Sequence, residues 1–406
     1  MSDLTLELEL HPVSGIYLGA CAAKIKKNGQ LDFVIIELAK ESVTAATFTQ
    51  NAFCAAPVSV AKRHLAETAM PRALVINSGN ANAGTGEQGM MDAQQTCDWV
   101  AVELGCQPNE VLPFSTGVIG ENLPMDKVQL AIPEALANLS VMNWPNACSG
   151  IMTTDLVPKA VSREIDVDGH PVVVTGMSKG SGMIHPNMAT MLGFVATDAK
   201  ITQACLQHCL NDAVNVSFNR ITVDGDTSTN DACTLTATQQ AEMPIIDSVT
   251  SKAYQDFSTA IQEIMTELAQ MIIRDGEGAT KFVTVSVEGG KNSQECLQVA
   301  HAVALSPLVK TALFASDPNW GRILAAVGRA GVQDLDIEAI KLYLGDVCIV
   351  ENGGRAASYT EEAGQAVMDQ TDITITIQLN RGSVNEVVWT TDFSYDYVKI
   401  NAEYRS

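Results

Sequence analysis

The stretch Lys179-Gly-Ser-Gly-Met-Ile-His-Pro-Asn-Met-Ala-Thr-Met-Leu-Gly-Phe-Val-Ala-Thr-Asp198 lies near the middle of the 406-residue chain. Its glycine-rich first part indicates a flexible loop, and the apolar run from Met191 to Ala196 is typical of a buried strand. Ala189-Thr190 joins the two parts. If the peptide bond before Thr190 breaks, its hydroxyl becomes a nucleophile beside its own free amine, which is a base. Taken alone, the stretch favours the simpler interpretation that Thr190 is a β-branched strand residue.

The composition indicates a globular protein with a sizeable core, since 46% of the residues are hydrophobic and 18% are charged. A net charge of −22 argues against nucleic acid as a partner. No run of apolar residues is long enough to predict a membrane span. The acidic N-terminus lacks the basic region of a signal peptide, and ten scattered cysteines are typical of reduced thiols. We therefore expect a cytoplasmic protein.

Strand-like and helix-like patterns alternate on both sides of Thr190, with no linker or repeat between them. The clearest helix is predicted over Tyr254–Ile273, where apolar residues recur at steps of three and four. Asp168-Gly169 predicts the turn of a hairpin. A cut before Thr190 would therefore leave two chains that share one core, rather than two independent domains.

Two clusters contain residues that can bind metals, but neither predicts a metal site. Asp224 and Asp226 begin a segment like a calcium loop, yet Thr229 stands where that loop requires glycine. Cys205-Leu-Gln-His-Cys209 places two thiols one helical turn apart, and no second pair at fitting spacing accompanies them. Buried core thiols and a surface histidine are the favoured interpretation.

A threonine nucleophile needs further parts, and the chain offers candidates for each. The turn Ser115-Thr116-Gly117 could supply a hydroxyl and a backbone N–H to stabilise an oxyanion. Lys179 could hold a carboxylate, and Glu277 could hold a substrate ammonium. The small polar loop Asn77–Gly86 lies between a predicted strand and helix, but it lacks the lysine of a phosphate-binding loop, so a structural role is favoured.

Taken in order, seven segments resemble the glutamate N-acetyltransferase/ornithine acetyltransferase family of arginine biosynthesis. They are Lys179–Asp198, Asn77-Ser-Gly-Asn-Ala-Asn, Ser115-Thr-Gly-Val-Ile-Gly, Met152-Thr-Thr-Asp, Arg274-Asp-Gly-Glu-Gly-Ala-Thr-Lys, Ser316-Asp-Pro-Asn-Trp-Gly-Arg and Tyr395-Asp-Tyr-Val-Lys-Ile-Asn-Ala-Glu-Tyr-Arg-Ser. The resemblance covers essentially the whole chain and includes these segments. His185 stands where many members carry alanine, and Phe393 where many carry tryptophan. The mechanism depends on neither position.

This resemblance implies a precursor that cuts itself between Ala189 and Thr190. Residues 1–189 would form an α chain and residues 190–406 a β chain, assembled as an α2β2 heterotetramer. The implied fold is α+β, an αββα layered sandwich of the ornithine acetyltransferase and DmpA-like type, in a self-cleaving threonine-nucleophile enzyme.

The resemblance also implies a role for each site residue. Thr190 would be the nucleophile, and Thr116 and Gly117 would form the oxyanion hole. The implied substrate-binding residues are Thr153, Lys179, Thr190, Glu277, Asn401 and Ser406. Whether Thr153 or Thr154 contacts the substrate stays open. No metal and no cofactor are implied.

The expected reaction moves the acetyl group of N-acetylornithine to glutamate through an acetyl-Thr190 intermediate, giving ornithine and N-acetylglutamate. Whether acetyl-CoA is a second donor stays open, because no motif separates the two kinds of member. One alternative is a self-processing N-terminal-nucleophile hydrolase or aminopeptidase, in which water replaces glutamate. Another is a small-molecule binding protein that is not an enzyme and never cleaves.

Overall fold

The computed structural model describes residues 10–27, 29–185 and 191–403. These fall into two compact units. The first unit holds the described residues of Met1–Gly180, Pro186–Asn219 and Thr227–Ile272. The second holds those of Ser181–His185, Arg220–Asp226 and Ile273–Ser406.

The strands, in chain order, are β1 (Ile16–Cys21), β2 (Phe33–Leu38), β3 (Val43–Phe48), β4 (Ala73–Asn80), β5 (Val111–Val118), β6 (Lys159–Val167), β7 (His170–Lys179), β8 (Leu192–Thr197), β9 (Ile221–Thr222), β10 (Ala232–Ala237), β11 (Phe282–Gly290), β12 (Lys341–Leu344), β13 (Val347–Glu351), β14 (Gly354–Arg355), β15 (Asp372–Gln378) and β16 (Val384–Thr391). The helices are α1 (Ala56–Glu67), α2 (Gly86–Leu104), α3 (Met125–Ala137), α4 (Trp144–Ile151), α5 (Gln203–Val216), α6 (Lys252–Arg274), α7 (Ser293–Ala304), α8 (Pro307–Phe314), α9 (Trp320–Gly328), α10 (Glu361–Met368) and α11 (Tyr395–Ala402).

Two sheets form the centre of the first unit. One has the order β1-β2-β4-β5 and the other has the order β3-β10-β8-β7-β6. In β2, successive side chains point to opposite faces, so Val34 and Ile36 pack between the sheets while Phe33 and Ile35 pack toward helices. A strand that is buried on both faces needs apolar residues at consecutive positions, as in Phe-Val-Ile-Ile.

Helices cover the outer faces of both sheets in the first unit. α1, α2 and α3 pack on the first sheet, where Val75 shares a core cluster with Cys97 of α2 and Ala131 of α3. α5 packs on β3 and β10 of the second sheet. The α6 residue Leu268 lies close to Gly176 of β7. The first unit is therefore an αββα layered sandwich, which confirms the predicted fold class.

The second unit is built on a seven-stranded sheet with the order β14-β13-β12-β15-β11-β16-β9. β15 has the sequence Asp-Ile-Thr-Ile-Thr-Ile-Gln, in which the isoleucines are buried and the threonines face the other side. Val299 and Val303 of α7 belong to the same core cluster as these isoleucines. The helices α7, α8 and α9 contribute to this cluster, so one face of the sheet packs on a helical layer.

The predicted elements around the central stretch are confirmed. α6 extends the predicted helix by two residues at its start and one at its end. β8 occupies the predicted strand, shifted by one residue. Asp168 and Gly169 turn the β6–β7 hairpin with φ angles of +51° and +86°.

All ten cysteines are free thiols. Cys205 and Cys209 are buried, whereas the His208 side chain is half exposed. Among residues 10–27, 29–185 and 191–403, no group of three or more His, Cys, Asp or Glu side chains could hold a metal ion. Within the same ranges no single helix has the length and hydropathy needed to cross a membrane, and α7 and α8 pass that test only as a pair bent by 57°.

Candidate active site

The end of β5 carries Thr116-Gly117 in a conformation that requires glycine. Gly117 has a φ of +135°, and a Cβ atom there would lie 2.3 Å from the carbonyl carbon of Gly79 and 2.5 Å from the nitrogen of Asn80. The parallel strand β4 approaches this closely because the β4–β5 register shifts between Gly79 and Asn80. Thr116 itself is buried. The backbone at Gly117 is thus held by packing against β4.

The side chain of Lys26 packs against Gly79 of β4. A Cβ atom at Gly79 would lie 3.0 Å from Cγ of Lys26, and the Lys26 ammonium donates a hydrogen bond to the Leu31 carbonyl at 3.0 Å. Burial lowers the pKa of Lys26 to about 8, although Asp32 and Asp155 favour its charged form. Lys26, Gly79 and Gly117 therefore form one packed stack.

Side-chain amides fix the loop that follows β4. Asn77 Nδ2 donates to the Asn80 carbonyl at 2.8 Å, and Ser115 Oγ donates to Asn77 Oδ1 at 2.6 Å. Asn230 Nδ2 donates to the Ser115 carbonyl at 2.9 Å and to the Ala81 carbonyl at 2.6 Å. These groups satisfy one another inside the protein, which supports a structural role for the Asn77–Gly86 loop. They also hold the peptide that precedes Thr116.

A second cluster of the first unit brings Lys179 together with Thr153. Lys179 Nζ donates to Thr153 Oγ1 at 3.3 Å. The Asp155 carboxylate organises the surrounding backbone, because it accepts the Thr153 N–H at 2.9 Å and the Gly180 N–H at 2.7 Å. It also accepts a charged hydrogen bond from Lys159 Nζ at 2.6 Å. Asp155 therefore fixes the backbone at Thr153 and at Gly180, the residue that follows Lys179.

The charge on Asp155 depends on its neighbours. Burial favours the neutral acid, but the Lys159 and Lys179 ammonium groups and the Thr153 N–H together lower the pKa of Asp155 to about 2. The Asp155 and Lys159 side chains are both fully buried. Each of these two buried groups therefore stabilises the charged form of the other.

We expect Asp155→Asn to lower the free energy of unfolding by about 3–5 kcal/mol, because it leaves a buried lysine charge without its counter-charge. Urea unfolding at neutral pH measures the loss. The wild-type contribution is present above the unfolded pKa of 3.8 and is lost as the pH falls towards the folded value of about 2. The difference between the two proteins should therefore shrink from pH 4 to pH 2. Asp256→Asn, in the exposed pair with Lys252, is the control and should change little.

In the second unit, Glu277 and Asn401 contact each other. Asn401 Nδ2 donates to Glu277 Oε2 at 2.8 Å, and the Glu277 N–H donates to the Ser181 carbonyl at 2.9 Å. A Cβ atom at Gly182 would lie 2.3 Å from the Glu277 carboxyl carbon. Glycine at this position of the Lys179–Asp198 stretch therefore leaves the space that the Glu277 carboxylate occupies.

The same unit holds the loop that precedes residue 186. Asp224 accepts the N–H groups of Met183 at 2.6 Å and Ile184 at 2.9 Å. Burial, followed by the charge of the Asp224 carboxylate, raises the pKa of Tyr397 in α11. Asp224 thus holds the backbone of this loop and lies near α11, the helix that carries Asn401.

The structure locates six of the predicted site residues. Thr116, Gly117, Thr153 and Lys179 belong to the first unit, and Glu277 and Asn401 to the second. Ala189, Thr190 and Ser406 lie outside the described residues. Among these residues, Thr153 contacts Lys179 and Glu277 contacts Asn401.

Sequence patterns do not predict the residues that organise the backbone of the site. Asp155 holds the backbone around Lys179, Asn230 holds the peptide before Thr116, and Asp224 holds the loop before residue 186. Of the three, the sequence offers only Asp224 as a candidate, and that as a metal ligand. Asp155 and Lys159 have opposite charges four residues apart, but the segment between them is not helical, so this spacing does not predict their contact.

Comparison with known proteins gives matches over nearly the whole chain. The chain is 57% identical to the arginine biosynthesis bifunctional protein ArgJ of Pseudomonas syringae pv. tomato, over 98% of each chain. It is 56% identical to the protein of that name from Pseudomonas fluorescens, over the same shares. A solved structure of arginine biosynthesis bifunctional protein ArgJ from Bacillus halodurans is 40% identical, with a TM-score of 0.50, covering 52% of this chain and 99% of that one. Since the ArgJ family model also matches residues 17–406, this chain belongs to the ArgJ family.

Proposed function

We propose that this protein transfers the acetyl group of N-acetylornithine to glutamate through an acetyl ester on Thr190. It also acetylates glutamate from acetyl-CoA, which would account for the word bifunctional in the names of its relatives. The observation that carries the proposal is 57% identity over 98% of both chains to a protein of arginine biosynthesis. The contacts among the predicted site residues support it.

Self-cleavage before Thr190 is part of the proposal, with residues 1–189 as the α chain and 190–406 as the β chain. The solved Bacillus chain supports this, because it is covered over 99% of its length yet matches only 52% of the present chain. β8 gives further support. It pairs with β7 on one side and β10 on the other, so a cut just before it would leave it hydrogen-bonded into the sheet.

In the first half-reaction the Thr190 hydroxyl attacks the acetyl carbonyl and its own α-amine takes the proton. The Thr116 hydroxyl and the Gly117 N–H stabilise the oxyanion. The C–N bond then breaks, and the departing amine of ornithine takes the proton from the α-ammonium. In the second half-reaction the glutamate amine attacks the ester, and Thr190 leaves with a proton returned through its amine. An α-amine has a pKa near 8, which suits it to both roles.

Two side chains of opposite charge, each held by a neutral neighbour, suit the charged groups of amino acid substrates. The Lys179 ammonium, held against Thr153, is a partner for a substrate carboxylate, and this contact favours Thr153 over Thr154 for substrate binding. The Glu277 carboxylate, held by Asn401, is a partner for a substrate ammonium. Ser406 completes the proposed set. Neither metal nor cofactor is required by this chemistry, and acetyl-CoA enters only as a substrate.

We further propose an α2β2 heterotetramer that works in the cytoplasm. The free state of all ten cysteines supports a reducing compartment. Size-exclusion chromatography with light scattering, followed by a denaturing gel, measures the assembly and its two chain types together.

Product analysis tests the proposed reaction against hydrolysis. N-acetylornithine plus glutamate should give ornithine and N-acetylglutamate in equal amounts, and acetyl-CoA plus glutamate should also give N-acetylglutamate. N-acetylornithine alone should give little ornithine. Equal release of ornithine with and without glutamate would instead identify a hydrolase. Because the acetyl group passes through the enzyme, initial-velocity lines should be parallel.

Gly182→Ala is expected to raise KM for glutamate and N-acetylornithine about tenfold or more, because the added Cβ displaces the Glu277 carboxylate from its present position. Steady-state kinetics on the cleaved enzyme measures the change. Gly328→Ala in α9 is the matched control, since a Cβ there meets nothing within 4 Å. Equal KM values for the two variants would contradict the role of Gly182.

A further inference from the structure

Lys310 of α8, in the second unit, is a buried lysine with no part in the proposed mechanism. Only 1% of its surface is exposed. Burial lowers the pKa of Lys310 to about 7, although the Asp392 and Asp224 carboxylates favour its charged form. Lysine is almost never fully buried unless other groups bind its amine. The groups that contact Lys310 therefore indicate its role.

The Lys310 amine binds the chain at the point where it leaves β16. Its Nζ atom donates to Thr390 Oγ1 at 2.9 Å and to the Thr391 carbonyl. The same atom lies 4.7 Å from the centroid of the Phe393 ring, which is within the range of a cation–π contact. The Phe393 N–H also donates to the Lys310 carbonyl at 3.3 Å. The two hydrogen bonds of Nζ need only two N–H groups, which the amine keeps whether or not it is protonated.

Phe393 extends these contacts into α11. Its ring stacks on the Tyr397 ring, with the centroids 4.8 Å apart and the planes inclined by 21°. Tyr397 lies in the first turn of α11, and its carbonyl accepts a hydrogen bond from Asn401 Nδ2 at 3.0 Å. The position of Asn401 therefore depends on where the Phe393 ring holds Tyr397.

A second set of contacts joins the start of α11 to the residue after Glu277. Ser394 Oγ accepts the Tyr397 N–H at 3.3 Å and donates to the Gly278 carbonyl at 2.6 Å. Gly278 has a φ of +66°, and a Cβ atom there would lie 2.5 Å from the Tyr397 nitrogen. The helix thus packs directly on the backbone beside Glu277. A shift of α11 would therefore move Asn401 and disturb the carboxylate that it holds.

We propose that Lys310 and Phe393 are positioning residues for the substrate-ammonium site, since together they hold α11 where Asn401 orients the Glu277 carboxylate. The inference rests on the proposed role of Glu277 as the partner of a substrate ammonium. It gives Phe393 a function in the site, although the acetyl-transfer chemistry itself does not involve that residue.

The choice of acetyl donor provides a direct readout of this site. The α-amine of N-acetylornithine carries the acetyl group, so its only ammonium lies at the end of the side chain. N-acetylnorvaline has the same carbon chain without that ammonium. The ratio of kcat/KM for the two donors, each with glutamate as acceptor, therefore measures how well the Glu277 carboxylate is placed. A mere loss of folded protein would lower the rates with both donors equally and leave this ratio unchanged.

Lys310→Met keeps an unbranched side chain of similar length but removes the N–H groups. We expect it to lower the preference for N-acetylornithine about tenfold, through a higher KM and not a lower kcat, because the lost interaction is made equally in the ground state and the transition state. Lys281→Met is the matched control, since Lys281 Nζ also donates to two carbonyls, those of Met368 and Gln370, each at 2.9 Å. It should keep the wild-type preference. A wild-type preference in Lys310→Met would overturn the inference.

Two variants of Phe393 test the aromatic step and decide the inference if Lys310→Met does not fold. Phe393→Leu removes the ring that faces Lys310 and Tyr397, and it should lower the donor preference about as much as Lys310→Met. Phe393→Trp keeps an aromatic face for the amine and should retain the preference. Equal donor preference in the two Phe393 variants would overturn the inference.

Two further variants show through which group Lys310 acts. In a protein that already carries Asn401→Ala, Lys310→Met should have little further effect, and a full second loss of preference would overturn the inference. Glu277→Gln separates the inference from the proposed function. If Glu277→Gln keeps the wild-type preference, Glu277 does not bind the ammonium and both claims are wrong. If it loses the preference while Lys310→Met keeps it, only the role of Lys310 is refuted.

Discussion

Thr190→Ala is expected to remain one uncut chain of 406 residues and to transfer no acetyl group. Alanine keeps the backbone and the Cβ atom but removes the hydroxyl that attacks in both self-cleavage and acetyl transfer. Wild type should give two bands on a denaturing gel, of 189 residues and of 406 − 189 = 217 residues. A gel of freshly purified protein and an assay of N-acetylglutamate formation measure both effects on one sample.

Thr190→Ser is the matched control for this prediction, because it keeps a hydroxyl at the same position. It should still cleave and should retain measurable activity. Two bands from Thr190→Ala would contradict the threonine mechanism, and so would an active wild type that runs as one uncut band. An active wild type that runs as one uncut band would favour an enzyme in which neither the Thr190 hydroxyl nor its α-amine takes part.

Thr116→Val is expected to lower kcat by about 100-fold to 1,000-fold, which is the usual effect of removing one oxyanion-hole donor. The substitution exchanges a hydroxyl for a methyl group of similar size at a buried position in β5, so the strand should keep its packing. Gly117 beside it keeps its N–H, which accounts for the activity that should remain. KM should change much less than kcat, because the lost interaction stabilises mainly the transition state.

Thr116→Ser restores the hydroxyl and should recover most of the activity. Self-cleavage should slow in Thr116→Val as well, so kcat is calculated from the amount of cleaved chain. A variant with wild-type kcat would show that the Thr116 hydroxyl is not part of the oxyanion hole.

Periodicity predicted some elements of this fold well. The apolar steps of three and four in α6 placed the helix to within two residues, because one face of a long helix must be buried. The arrangement of the layers came from the resemblance to a family and not from periodicity. A hydrophobic pattern shows which face of a strand is buried, but the order of strands in a sheet depends on contacts between distant segments.

Two strands of the second sheet were missed for a shared reason. β3 has the sequence Val-Thr-Ala-Ala-Thr-Phe and β10 has Ala-Cys-Thr-Leu-Thr-Ala, in which small and hydroxyl side chains replace large apolar ones. All six residues of β10 and three of the six in β3 are buried all the same, and the hydroxyls of Thr44 and Thr236 hydrogen-bond across the two strands at 2.9 Å. The helices α4 and α10 were missed as well. α4 contains Pro145 and Gly150, which are poor helix formers, and α10 buries only Gly364 and Met368, so it shows no clear apolar face.

The residues that support the site could not be predicted, because their contacts depend on the folded arrangement of the strands. The predicted contact of Lys179 with substrate follows from family motifs, but its position depends on Asp155. Two partners of Asp155, Thr153 and Lys159, are close to it in sequence, whereas its partner Gly180 lies 25 residues away. Asn230 reaches a carbonyl 115 residues away in sequence. Such bonds depend on the register between strands, which the local sequence does not specify.

The acetyl-Thr190 ester is the central claim, and mass spectrometry of the β chain tests it most directly. The cleaved enzyme is mixed with N-acetylornithine without glutamate, quenched in acid and digested. The account predicts one added acetyl group on the peptide that begins at Thr190, and its disappearance when glutamate is added before the quench. An unmodified Thr190 peptide, in a sample that converts both substrates at the normal rate, would contradict the account.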